Sequence, residues 1–263
     1  MFDGIFNHEA RVFTDNYELS GVNSVEFNYR SSSQTQGVLG TNRGFSFPGS
    51  AASQQFVLNR NLIYNDPVLN YTGREPIKAS IFYNNGHYGF EKGYLTDYSI
   101  NCAVGSVPRC ASTFLVSDEL KTGISGRNDI INPHPLLDIP SQGSISITCD
   151  NSTTNRVVGF NYSIKATRKP LYAVGQQEPC DVETIYPIIY RANASIEIDD
   201  AFLQDSLNFL DLRENKNLSL SINGRDGNQL QSVSIPNASL VSETVRLAPE
   251  GSLRLDINYI GHG

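Results

Sequence analysis

At 263 residues with a formal charge of -7, 39% hydrophobic and 18% charged residues, no Trp and one Met, the chain is long enough for one large or two smaller globular units. Cut after Ile130, it carries 10 basic and 12 acidic residues in the first part and 10 and 15 in the second, so neither part has the basic excess of a nucleic-acid binder. Abundant Ser, Asn, Gly, Tyr and Phe point to many short strands joined by turns.

Residues 12–19 read as a first strand, leading through Ser20-Gly21 into Ser24-Val25-Glu26-Phe27-Asn28-Tyr29-Arg30. There Val25, Phe27 and Tyr29 alternate with Glu26, Asn28 and Arg30, the period of a half-buried strand. Residues 31–55 are polar and glycine-rich, which predicts a long functional connection, with a flexible loop or a long hairpin as the plain alternatives. Residues 59–71 predict a short helix or helix-turn interrupted by Pro67. Ile77, Ala79, Ile81 and Tyr83 alternate up to an Asn84-Asn85-Gly86 turn, and 94–104 and 112–116 read as two further strands. Between 118 and 142 the periodicity fades among Gly, Asn and Pro, so the expected division is a first module over 1–125, a linker over 126–143 and a second module over 144–263.

The second part runs through the same events. Ile145, Ile147 and Cys149 alternate, a turn follows over 150–155, and Val158, Phe160, Tyr162 and Ile164 make a strand in which Phe160-Asn161-Tyr162 echoes Phe27-Asn28-Tyr29. Another long connection covers 165–183, with Tyr172-Ala173-Val174-Gly175 standing where Gly37-Val38-Leu39-Gly40 stood before. Tyr190 to Ile198 alternate, Leu203, Leu207 and Leu210 at helical spacing behind Asp199-Asp200 predict a short helix, and strands around Leu220, 238–247 and Leu255 close the chain. This order of events predicts a tandem duplication.

A β-sandwich module with one short helix and one long loop after its second strand resembles the tail tube fold of tailed bacteriophages. The phrases that carry the resemblance are Leu19-Ser20-Gly21-Val22-Asn23-Ser24-Val25, Asp66-Pro67-Val68-Leu69-Asn70-Tyr71-Thr72-Gly73 and Gly93-Tyr94-Leu95-Thr96-Asp97-Tyr98-Ser99-Ile100-Asn101-Cys102-Ala103-Val104-Gly105. The resemblance implies a mainly β fold of two tandem tail-tube-like half-barrel modules, a trimer forming a pseudo-hexameric ring, and rings stacked into a DNA-conducting tube. It implies as partners further copies of the chain, a tape measure protein, and tail terminator or baseplate proteins, with DNA passing only transiently. It also implies that Gln36, Gly37, Leu39, Gly40, Phe45 and Phe47 in the first loop, and Tyr172, Val174, Gly175 and Glu178 in the second, meet the neighbouring ring. The acidic excess suggests carboxylates on the lumen wall, or simply a solubilising outer face.

No catalytic or cofactor-binding residue is expected. His8, His87, His134 and His262 are scattered without metal-ligand spacing, and no phosphate-binding, hydrolase or calcium-loop motif occurs. Asp199-Asp200 could be read as paired glycosidase carboxylates, but at a helix start they read better as capping residues. Cys102, Cys110, Cys149 and Cys180 lack CxxC spacing and read as packed thiols. The first residues lack a basic, apolar leader and no apolar run is long enough to span a bilayer, so the expectation is a soluble protein made in the cytoplasm, and the resemblance implies that it ends in the virion. Alternatives are another tail ring or baseplate component, a β-sandwich adhesin or a capsid decoration protein.

Overall fold

The computed structural model describes residues 11–15, 17–37, 44–62, 65–83, 86–122, 137–150, 152–174, 178–198, 216–247 and 252–263, and for 29–37, 44–53 and 83 the backbone alone. The fold is mainly β, and its strands belong to one large antiparallel sheet.

The first strands are β1 (Arg11–Thr14), β2 (Tyr17–Leu19), β3 (Val22–Gly37) and β4 (Gly44–Asn61). The stretch expected as one strand over 12–19 is a hairpin, because Asp15 takes a φ of 48° and turns the chain back. The polar connection over 31–55 proves to be a hairpin arm. Gly37 pairs with Gly44, the ladder runs to Ser33 opposite Pro48, and after an irregularity it resumes at Ser31 opposite Ala52, so the paired residues find backbone partners on the facing strand. The helix expected over 59–71 is instead the end of β4 followed by a 3-10 helix, Pro67–Thr72. Pro67 occupies the first turn, where its missing N–H costs nothing, and the Asp66 carboxylate caps the Val68 N–H at 3.0 Å.

Then come β5 (Ile77–Tyr83), β6 (Gly86–Ala103), β7 (Arg109–Val116), β8 (Lys121–Thr122), β9 (Ile145–Cys149), β10 (Ser152–Thr154), β11 (Val157–Leu171), β12 (Asp181–Ile198), β13 (Lys216–Asn223), β14 (Gln229–Leu247) and β15 (Leu253–His262). The turn expected over 150–155 contains β10, which pairs back onto β9. The helix expected around Leu203, Leu207 and Leu210, and most of the expected linker, lie outside the described residues.

Strand pairing follows the same plan in both parts. β1 pairs with β2 and β5, β3 with β4, β4 with β7, and β6 with β5 and β7. β9 likewise pairs with β10 and β13, β11 with β12, β12 with β15, and β14 with β13 and β15. Register irregularities recur as well: Val22/Ser24 corresponds to Val157/Gly159, Ser31/Ser33 to Lys165/Thr167, Ile77/Ala79 to Lys216/Leu218, and Leu95/Asp97 to Leu240/Ser242. Such bulges bend a strand and re-aim its side chains. Counted from the first of them, Phe27 corresponds to Tyr162 and Val25 to Phe160. The two Phe-Asn-Tyr phrases thus lie on corresponding strands, offset by one pleat that leaves their faces unchanged.

One pairing joins the two sets. The C-terminal part of β6 pairs with β11, from Asp97 opposite Lys165 to Ala103 opposite Gly159. This seam joins β3, β4, β7, β6, β11, β12, β15 and β14, in that order, into an unbroken antiparallel run. The N-terminal part of β6 folds over that run. The Phe27 ring lies 4.9 Å from Phe56 on β4, and 5.5 and 6.2 Å from Tyr88 and Phe90 on β6. The core between the layers includes Tyr98, Ile100, Phe114, Ile147, Ile196 and Leu220, whose burial stabilises by roughly 1.5–3 kcal/mol per side chain.

Candidate functional site: a polar sheet face between two open edges

Strict alternation puts a polar residue between two apolar ones on each strand beside the seam: Ile100-Asn101-Cys102, Phe160-Asn161-Tyr162, Ala192-Asn193-Ala194 and Ile257-Asn258-Tyr259. The pairing brings the polar members into one row. Asn101 lies opposite Asn161, Asn161 opposite Asn193, Asn193 opposite Asn258, and Asn258 opposite Ser242. A one-residue slip of any of these strands would bury its Asn and expose its apolar neighbours, so the core fixes the row. Beside it runs a second row of Ser99, Ser163 and Arg191, and together they floor a groove of about 560 Å³.

Side-chain hydrogen bonds extend this neutral character to both ends. Asn258 Nδ2 donates to Ser242 Oγ at 2.7 Å on β14. At the β3 end, Asn59 Nδ2 donates to Ser24 Oγ at 3.0 Å, and the Asn23 and Asn61 amides exchange hydrogen bonds at 2.9 and 3.2 Å. Charges on the face have both signs: Glu26, Asp97, Glu197 and Asp256 stand among Arg109, Lys165, Arg191 and Arg246. The face is therefore an amide surface of mixed charge.

The run ends in two open edges among the described residues. β3 pairs with β4 alone, and residues 239–247 of β14 pair with β15 alone. On β14, Val241, Val245 and Leu247 are 64%, 54% and 72% exposed. By position relative to the bulge, Val245 and Leu247 correspond to Ile100 and Cys102 of β6, each 1% exposed, where β11 occupies the same edge.

No protein-family model matches this chain, and no curated protein matches it either.

Two buried polar knots hold the face in place. Asp66 accepts from Arg60 and, at 2.8 Å, from the Tyr98 hydroxyl, while its own N–H donates to Gln231 Oε1 at 2.7 Å. The knot thereby ties β4, the 3-10 helix and β6 to β14. Burial is the largest influence on Arg60 and lowers its pKa, but Asp66 together with Cys110 and Tyr98 more than offsets it and holds the guanidinium above its ordinary value. Burial, with Asp66 adding to it, keeps the Tyr98 hydroxyl protonated well beyond the usual phenol range. In the second knot Arg168, on β11, reaches across the seam and donates to the carbonyls of Leu95, Thr72 and Gly73 at 2.9, 3.2 and 2.8 Å, and to Thr184. Burial pushes its pKa down.

The residues expected to meet a neighbouring ring fall on the two hairpin arms. Gln36 pairs with Phe45 and Gly37 with Gly44 on β3 and β4, and Phe47 lies opposite Gln34. Tyr172, Val174 and Glu178 are exposed beyond the paired ends of β11 and β12. Leu39, Gly40 and Gly175 lie outside the described residues. The described members of the two groups lie on corresponding hairpins.

Among the described residues no group of three or more His, Cys, Asp or Glu side chains could hold a metal. His8, His134, Asp199 and Asp200 lie outside them. The cysteines are free thiols, but only three are packed: Cys180 is exposed near the end of the β11–β12 arm, with its thiol donating to Leu171 O at 3.2 Å. The asparagine row is the feature that sequence reasoning passed over. Its signal was present as an Asn flanked by apolar residues on four separate strands.

Proposed function

We propose that the chain is a non-enzymatic structural subunit that joins copies of itself edge to edge into closed rings, and that the rings stack into a hollow tube of the kind found in phage tails. The observation that carries this reading is the seam: within one chain, corresponding halves are already joined through β6 and β11, and the two outer edges are the same two kinds of edge left open. Recurrence of the pairing plan and of four register irregularities supports descent from a duplicated module. Three chains of two modules then keep six-fold geometry. Exposed edge strands are an aggregation liability in a monomer, and ring closure removes them.

In this reading the asparagine row lines the lumen. Neutral amides among charges of both signs give DNA few cations to adhere to. The hairpin arms reach the neighbouring ring, and a tape measure protein and terminator or baseplate proteins are the partners at the tube's interior and ends. No helix among the described residues is long and apolar enough to cross a membrane.

Negative-stain electron microscopy of the purified protein tests the reading. Hollow six-fold rings or tubes are expected, and a monodisperse monomer under every condition would end it. Deleting residues 32–53, the distal part of the first arm, is expected to leave a folded protein that forms rings but no long tubes. Tubes of normal length from that deletion would remove the arm from the stacking contact.

A further inference from the structure

We infer that the open edge of β14 pairs antiparallel with β3 of a second copy, in the register of the internal seam, so that Leu247 meets Val25, Arg246 meets Glu26, Val245 meets Phe27 and Thr244 meets Asn28. This rests on the ring reading above and specifies the surface and the register that form the ring.

The register comes from transposing one observed pairing. In the seam, Cys102 lies opposite Phe160, Asn101 opposite Asn161, Ile100 opposite Tyr162 and Ser99 opposite Ser163. The bulges at Leu95/Asp97 and Leu240/Ser242 set Cys102, Asn101, Ile100 and Ser99 against Leu247, Arg246, Val245 and Thr244. The bulges at Val22/Ser24 and Val157/Gly159 set Phe160, Asn161, Tyr162 and Ser163 against Val25, Glu26, Phe27 and Asn28.

The chemistry that this register brings together is complementary on both faces. On the core side, Val245 and Leu247 are 54% and 72% exposed, while Val25 and Phe27 are only partly covered. Each would gain an apolar cross-strand neighbour, the pairing that stabilises sheets most. On the polar side, Glu26 is exposed and Arg246 has a side chain 66% exposed although it binds Asp256. Arg246 also lies opposite Arg254, a like-charge cross-strand position that a carboxylate on its other flank offsets. A guanidinium has five donors in a fixed fork and can hold two carboxylates at once. Shifting the register by one residue would set Glu26 against Val245 or Leu247 and put a charge on the core side, so the match is specific.

Cysteine cross-linking of the full chain tests the register. In a Cys180→Ser background, which removes the one exposed thiol, Asn28→Cys together with Thr244→Cys should give disulfide-linked dimers and trimers on copper-phenanthroline oxidation. Each single-cysteine variant should form no intermolecular disulfide, and Asn28→Cys with Ser242→Cys, two residues out of register, should link about tenfold less. Rings in the microscope without the 28–244 link, or with the offset pair linking better, would overturn this register while leaving the ring reading intact. The 28–244 link without rings would uphold the edge pairing and remove the ring reading, and neither would remove both. As a second readout, Glu26→Arg should raise the concentration needed for assembly about tenfold or more, with Glu26→Gln in between, and salt should narrow the difference. The thermal midpoint of the unassembled chain should not move. Unchanged assembly of Glu26→Arg would overturn the Glu26–Arg246 contact.

Discussion

The seam strand β6 and the edge strand β14 share a bulge and a pairing partner of the same kind, yet their outer flanks differ. Tyr98, Ile100 and Cys102 are each 1% exposed where β11 lies alongside, whereas Val245 and Leu247 stand open on β14. Corresponding positions thus carry apolar side chains whether or not the chain itself covers them. A sequence that served only the monomer would place polar residues at an uncovered edge, as soluble sheet proteins usually do. On the proposed reading, the difference between the two strands marks a contact left for another copy.

The largest effect is expected where the seam side is locked. Asp66→Ala removes the carboxylate that satisfies Arg60 and Tyr98, leaving a buried guanidinium without its counter-ion, which costs about 3–5 kcal/mol. Urea unfolding of the unassembled chain measures it. A loss below ~1 kcal/mol would mean that the knot does not hold β6 in place. Next in size, Ile100→Ala deletes fully packed methyl groups at the seam and should cost about 2–5 kcal/mol by the same measurement.

Much of this contrast could be read from the sequence, and the part that could not has a physical cause. Alternation in Val25 and Phe27 and in Phe160 to Ile164 identified strands in β3 and β11 and their faces, because the period of two is a local property, whereas Val158 falls in the Val157/Gly159 irregularity and Val157 is the buried residue there. Pro67 signalled a break, and the backbone resolves it as a 3-10 turn that Pro can enter. The arm over 31–55 was ambiguous because Ser, Gln and Gly specify neither a loop nor a strand; the partner on the facing strand decides, and it lies up to 27 residues away, at Asn28 and Gln55. The seam was illegible for the same reason, since Asn101 and Asn161 are ordinary exposed residues until the 59 positions between them fold to set them side by side. The repeated Phe-Asn-Tyr phrase marked the right strands while misjudging their alignment by one pleat. Only the bulges, which leave no letter pattern, give the true register.

A smaller effect separates seam and edge by pH. Burial pushes the Cys102 and Cys110 thiols up to about 12 from an ordinary value of 9.0. Between those limits the unfolded chain releases these protons and the folded chain keeps them. The unfolded state then binds fewer protons, so stability falls as pH rises, by up to ~1.4 kcal/mol per pH unit for each thiol, and these groups contribute no slope below about pH 9. Buried tyrosines including Tyr98 and Tyr162, also raised, add to the loss at higher pH. Denaturant midpoints across this range should decline steeply in the parent and less so in Cys102→Ala, whose decline would match the parent's if the seam thiol were accessible.

The smallest effect on the single chain is expected at the edge, and its smallness carries the information. Leu247→Ser replaces a side chain that is 72% exposed, so it forfeits little buried area and should change unfolding stability by no more than ~0.5 kcal/mol. If the same substitution abolishes assembly, the leucine is retained for a neighbour and not for the fold. Light scattering at matched concentrations separates the cases. Assembly equal to the parent's would show that this edge is not where copies meet. A stability loss of several kcal/mol in the unassembled chain would show that Leu247 already has a partner within its own chain, and that seam and edge are less different than their exposures suggest.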